Sequence, residues 1–455
     1  MNNKKIGHSR RHFLKAAAVP LAATTGLTKF GLVNALAQQG VTDYRALVCI
    51  FLVGGNDGHN TVIPRTSSEY NLYKTIRGSL ALPDSNGPVL DVTALNGTPY
   101  GLNNGLQSIH SLWAAQKLAV VGNVGMLVQP TTRAQFLGSA VPLPSNLFSH
   151  SDQIIQMQTG TPTGSGGTGW AGRVADQMQP ANGSSTFPAS LSMSGQSIFC
   201  AGNVVQSASL IPGFDSALYG LNIWPASAGA ARATAMQEIF TMNSGLSVIQ
   251  AANQVRQDAA ALSAMLKSAG SSQPLTTQFP GGTLGDQLKQ VTQIIQLRNQ
   301  TGIKRQVFFC SLGGFDTHSS QSWQQWDLLK QVSQAMLAFY NATVELGLAD
   351  KVTTFTESEF GRSLQPSGVG SDHGWGNHHL VLGGAVKGGD LYGAIPPMAL
   401  GGPNDSGTRG VLIPSVSLDQ YGATMAKWFG LNDAAIDLVF PNLKFFPTRD
   451  IGFLG

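Results

Sequence analysis

Unbroken apolar runs recur along this chain, each closing on glycine or acidic residues, and stretches of helical period separate them. Ala46-Leu47-Val48-Cys49-Ile50-Phe51-Leu52-Val53 reaches Gly54-Gly55 without a polar break, the pattern of a strand buried on both faces of a parallel sheet. Leu118 to Val124, Gln306 to Leu312 and Val352 to Thr356 repeat it, and the shorter Leu380-Val381-Leu382 closes on Gly383-Gly384. Between the last two full runs, Ser322 to Leu346 carries Trp326, Leu329, Val332, Met336 and Phe339 at three- and four-residue steps, which predicts a helix. Strands alternating with helices predict an α/β sandwich. From about Ala226 to Leu297, apolar residues at helical spacing among many Gln and Ala predict an inserted helical subdomain. The Gly- and Ser-rich stretches 160–169 and 268–282 read as surface connections or as loops rimming a site.

Composition narrows this picture. A chain of 455 residues is one large α/β domain or two ordinary ones, and 42% apolar with only 11% charged residues excludes a disordered charged tail protein. The formal charge of +4 is uneven: residues 1–37 hold six of the 28 basic residues and no acid, leaving 22 against 24, a balance of −2. A nucleic-acid surface is therefore not expected on the body of the protein. Cys49, Cys200 and Cys310 are odd in number and lack metal-ligand spacing, so buried free thiols are expected.

The basic N-terminus has an order of its own. Ser9-Arg10-Arg11-His12-Phe13-Leu14-Lys15 resembles the twin-arginine export motif. A mildly apolar stretch to Leu36 follows, too interrupted by Pro20, Gly26 and Lys29 for a membrane span, and Ala35-Leu36-Ala37 fits a signal-peptidase site. Residues 1–37 are thus expected to be a signal peptide that engages the twin-arginine export machinery. The domain 38–455 would then be periplasmic or extracellular, with no stable membrane span after cleavage.

In open α/β sheets, functional groups gather beyond the carboxyl ends of strands. Here those places hold Asn56-Asp57-Gly58-His59, Phe315-Asp316-Thr317-His318, Glu357-Ser358-Glu359-Phe360-Gly361-Arg362 and Ser371-Asp372-His373, with His378-His379 entering the last run. Asp, Glu and His beside glycines suit a divalent metal. Singly, Asp57 also reads as a turn residue, Asp316-Thr317-His318 as a helix cap and His378-His379 as packing; their conjunction on one sheet edge favours metal.

These stretches, together with Leu-Gly-Gly-Ala-Val-Lys-Gly-Gly at 382–389, resemble the exported family called domain of unknown function 1501. That family in turn resembles the alkaline phosphatase and sulfatase superfamily. The resemblance implies a three-layer α/β/α sandwich, a mostly parallel central sheet, and metal at the strand ends. It maps Asp57 onto the metal-binding aspartate after the first strand, and Asp316 and His318 onto the mid-chain ligands at a shorter spacing. Ser358-Glu359-Phe360-Gly361 stands for the superfamily's Ser-Asp-His-Gly, so Glu359 keeps one ligand while Phe360 cannot bind metal. His373, with Asp372 beside it, stands for the final histidine. The loss at Phe360 argues for a single or rearranged ion, zinc, calcium or manganese, in place of two zincs.

For the nucleophile, the superfamily's position opens a helix about ten residues before the glycine of a Thr-Gly pair, and from Gly160 that count reaches His150. Ser149 or Ser151 would attack with metal activation, or His150 would be a ligand or itself a nucleophile. The serines equally suit a helix N-cap. Thr61 is a weaker second candidate, and the absence of Cys-x-Pro-x-Arg argues against a formylglycine sulfatase. Arg362 has the planar fork that holds an oxyanion, and Lys387 could do likewise or pair on the surface. The expected function is an exported metal-dependent hydrolase of a phosphate, sulfate or related ester, with an envelope polymer as one possible substrate. The alternative is a non-catalytic binding or assembly protein on a degenerate scaffold.

Overall fold

The structure, a computed structural model, describes residues 41–83, 89–212, 224–242 and 274–455, with scattered residues between 245 and 265. The leader, its cleavage site and most of the region between 243 and 273 lie outside the described residues.

In chain order the strands are β1 (Arg45–Val53), β2 (Val62–Pro64), β3 (Val89–Thr93), β4 (Pro99–Asn103), β5 (Leu118–Gly125), β6 (Ser190–Ser192), β7 (Ala208–Ser209), β8 (Arg305–Gly313), β9 (Val352–Glu357), β10 (Arg362–Ser367), β11 (Gly370–His373), β12 (Asn377–Gly383), β13 (Leu391–Gly393) and β14 (Val416–Ser417). The helices used below are α1 (Ser67–Arg77), α2 (Gln107–Ala114), α3 (His150–Thr159), α4 (Trp170–Met178), α5 (Gly229–Thr241), α6 (Thr283–Gln296), α7 (Gln321–Glu345) and α8 (Leu418–Phe429).

The five apolar runs become β1, β5, β8, β9 and β12 of one sheet in the order β13-β5-β12-β9-β1-β8-β6-β7, with β14 also on β5. The central strand β1 pairs along its whole length with β8, from Arg45↔Arg305 to Val53↔Gly313, and with β9 from Ala46↔Val352 to Phe51↔Glu357. Flanked on both sides and covered on both faces, Ala46 to Leu52 are all buried. Each large apolar side chain there contributes roughly 1.5–3 kcal/mol relative to exposure. Helices α2, α6 and α7 pack as one group, and α4, α8 and the short helix Asp433–Val439 as another. The fold is α/β with a mostly parallel sheet. No helix among the described residues is long and apolar enough to cross a membrane.

All pairings in this sheet are parallel except those of β12, which runs antiparallel to both β5 and β9. One antiparallel strand brings the loop before it to the same edge as the loops after its neighbours. His373 precedes β12, yet it shares an edge with the residues that follow β1, β8 and β9.

Helix α7 buries Leu329, Val332, Met336 and Phe339 as its periodicity predicts, while Trp326 lies at the margin of that stripe with Lys330 over its ring. Of the predicted helical insert, α5 is described, and α6 packs on β8 and α7. The three cysteines are free and buried.

Buried ionisable groups tie this core to pH. Glu357, at the end of β9, is fully buried; burial pushes its carboxyl well above the ordinary 4.5, with Trp170 pulling weakly the other way. The unfolded chain gives up that proton above pH 4.5 and the folded chain keeps it. Stability therefore falls with rising pH from there, by about 1.4 kcal/mol per unit, until the folded-state carboxyl ionises. Burial lowers His378 and His379 to about 3, so their contribution is present above 6.5 and is lost as pH falls. Urea melts across pH should show Glu357→Gln flattening the alkaline decline alone; an unchanged slope would mean that Glu357 is ionised in the fold.

Candidate metal centre

Three loops meet where β1, β8 and β9 end, at a separation only glycine permits. Gly54 has φ +118°, and a Cβ there would lie 2.3 Å from the Asp316 backbone nitrogen. At Gly55, φ +78°, a Cβ would enter the Phe360 ring. The Gly54 N–H donates to Glu359 Oε1 at 2.8 Å, joining the first loop to the third. The fourth contributor is the N-terminus of α3, whose first residue is His150 and whose C-cap is Gly160 in the left-handed region.

His150 Nε2 lies 3.1 Å from His373 Nε2 and 3.4 Å from Asp316 Oδ1, and the last two atoms are 3.6 Å apart. The far sides of both rings settle their tautomers. His373 Nδ1 faces the Phe148 carbonyl at 2.7 Å, an acceptor only, so it carries the proton. His150 Nδ1 faces Glu359 Oε1 at 2.9 Å and donates to it. Phe148 has φ +72°, an unusual backbone for a phenylalanine, in the turn that offers its carbonyl to His373. A carbonyl and a carboxylate behind two imidazoles are the partners that leave each Nε2 free to ligate.

Two nitrogen lone pairs and a carboxylate oxygen thus face one another. Such a set needs a positive centre, either a proton on His150 or a metal ion. For zinc–nitrogen bonds of about 2.0–2.1 Å the edge of a tetrahedron is about 3.3–3.4 Å, which the three separations bracket. His150, Asp316 and His373 therefore fit a divalent metal. His318 Nε2 approaches from outside, 3.0 Å from both Asp316 Oδ1 and His373 Nε2. The side chains of Asp316 and His318 are 48% and 45% exposed, against 24% for His373, so the cluster opens on their side.

The electrostatics follow from these contacts. The Glu359 hydrogen bond raises His150 above its ordinary value, against the effect of burial. Burial would raise Asp316, but the hydrogen bond and charge of Arg362, with His318 and His150, hold it below the usual carboxylate range. Burial lowers His373, and the neighbouring charges of His150, Arg362 and His318 add to that.

Other candidates have different surroundings. Glu359 stands behind His150, buried, instead of facing the other ligand atoms. Arg362 is buried, and donates to the carbonyls of Gly55 (2.8 Å), Gly54 (2.7 Å) and Ser371 (2.5 Å) and to Asp316. Its fork is filled from within the protein. Asp57 is buried against Arg77 of α1 and Gln321 of α7, away from the three converging ligand atoms. Burial alone would raise it, but the Arg77 charge holds it low. Asp372 pairs with Arg409 at 3.2 Å. Ser149 donates to Asp152 Oδ2 at 2.5 Å and lies 3.1 Å from Ser151 Oγ, and neither serine caps the helix backbone with its side chain. Thr61 Oγ1 donates to the Asp57 carbonyl at 2.7 Å, and Lys387 lies against the chain's last residue, Gly455.

Sequence reasoning missed Phe148, Arg77, Gln321 and the part played by Phe360, whose ring rests against His150 and His373 with centroids 4.8 and 4.9 Å away. Gln321 links two of these parts, donating to Asp57 and accepting from Ser371 Oγ at 2.6 Å, while the Ser371 carbonyl receives Arg362. None of these has a sequence signature: a left-handed Phe148 and a buried Arg77 look like any others in the chain.

A family model described as "Protein of unknown function (DUF1501)" matches residues 44–408. Comparison with curated proteins finds no match. Among solved structures, "Crystal structure of Ps i-CgsB" is 9% identical, with 90% of this chain and 78% of that chain covered and a TM-score of 0.35. The same protein in complex with k-i-k-neocarrahexaose is 11% identical, with 90% and 75% covered and a TM-score of 0.33. At such scores neither likeness bears on fold or function.

Proposed function

The chain belongs to the DUF1501 family of proteins of unknown function, and we propose that it is an exported metal-dependent hydrolase of a phosphate, sulfate or related ester. The scaffold in this reading is the three-layer, alkaline-phosphatase-like sandwich that the sequence motifs resemble. One observation carries it: His150 Nε2, His373 Nε2 and Asp316 Oδ1 converge within 3.1–3.6 Å, both rings held by partners on their far nitrogens. Three protein ligands leave a coordination position open, the arrangement of a catalytic centre and not of a closed structural one. A divalent ion there would supply Lewis acidity and ease deprotonation of the attacking group.

The chain's own residues do the rest. Glu359 keeps the proton of His150 on Nδ1, and the Phe148 carbonyl does the same for His373. Arg362 fixes the Asp316 carboxylate and carries positive charge beside it. Phe360 shields one flank of both imidazoles from water. Ser149, next to His150, is a nucleophile candidate whose proton already points at Asp152.

A second reading, a binding or assembly protein on a degenerate scaffold, draws support from Phe360 and from the Arg77 guanidinium that neutralises Asp57. Elemental mass spectrometry on the purified chain separates the two, followed by phosphate and sulfate ester assays. Near-stoichiometric metal with turnover is the expected result. A folded, metal-free protein would sink the hydrolase reading, and bound metal without turnover on any ester would favour the second.

A further inference from the structure

The charges around the cluster bear on which ester it takes. Asp316 and Glu359 are two carboxylates, and Arg362 is one guanidinium among their neighbours. With neutral imidazoles and a divalent ion, the centre carries a net charge of about +1. The neighbouring arginines do not add to it. Arg362 is committed to three carbonyls and Asp316, Arg77 to Asp57, and Arg409 to Asp372. Asp57 Oδ2 receives both Arg77 and Gln321, and the Phe360 ring lies between Gly55 and the imidazoles.

A doubly charged ester would leave net negative charge in a half-buried site, at a desolvation cost nothing repays. A singly charged one would close the balance.

Resting on the metal-hydrolase reading, we infer that this centre takes a singly charged tetrahedral ester, a sulfate monoester or a phosphodiester, in preference to a phosphate monoester dianion. The probes are methyl sulfate, dimethyl phosphate and methyl phosphate, titrated into cobalt-loaded protein while the visible spectrum is followed. At about pH 8 methyl phosphate is doubly charged, its second pKa being near 6. One of the singly charged probes should perturb the spectrum with a Kd no weaker than that of methyl phosphate. A tighter dimethyl phosphate would mark room for a second organic arm and hence a phosphodiester; a tighter methyl sulfate would mark a sulfate ester. Methyl phosphate binding about ten-fold tighter than both others, or no response to any probe, would overturn the inference and leave the metal reading standing. Failure to hold cobalt at all would overturn both.

Discussion

His150→Ala lowers the affinity for a divalent ion by more than about 100-fold, because loss of a partner behind a ligand already costs 10–100-fold and this change removes the ligand itself. The side chain is partly exposed at the start of α3, so the variant should fold. Glu359→Gln is the informative companion. It preserves shape but exchanges a charged acceptor for a neutral one behind His150 Nδ1, and the expected loss is about 10–100-fold. Competition with a zinc-sensitive fluorescent chelator, alongside circular dichroism, reads both. Alanine at 150 with wild-type affinity would show that the ion, if any, is held elsewhere.

Arg77→Met should be the most destabilising single change in the molecule. Arg77 and Asp57 form an ion pair whose side chains are both 0% exposed. Arg77 also donates to Asn60 Oδ1 (3.1 Å) and to the carbonyls of Ser363 and Leu364 (3.0 Å each). Removing it leaves a buried carboxylate without its counter-charge, a loss of about 3–5 kcal/mol. The Asp57 carboxyl, now held low, would then titrate upward, since burial becomes the dominant influence. Arg77→Met with Asp57→Asn should recover a large part of the loss. Urea unfolding of the singles and the double closes the cycle. Additive losses would mean that the two residues act independently.

What the chain revealed in advance follows a physical line. A strand buried on both faces cannot alternate, so β1, β5, β8 and β9 announce themselves as continuous apolar runs. The two-residue strands β7 and β14 carry no such run, and the direction of β12 leaves no trace in composition. Asp316 and His373 were legible as acid and imidazole at strand ends, and His150 by counting back from Gly160. The burden of orientation falls on groups without a signature: a Phe148 carbonyl, which any residue could supply, and Arg77, on a helix with no sequence relation to Asp57. In sequence Arg362 reads as an oxyanion holder; in the structure its fork meets carbonyl oxygens, which satisfy the same geometry.

The three thiols sealed inside the core set an order of events for this molecule. Burial pushes all of them far above the ordinary value, withholding the thiolate that oxidants attack. Once the core has closed, the redox poise of the surroundings is immaterial to it. Before closure, three sulfurs are on offer and only two can pair. Every cross-link formed then is one that the finished fold lacks, and one sulfur is left over to join another chain. The molecule's sensitivity to oxidation is thus confined to its first moments, and the race it must win is between collapse and chemistry.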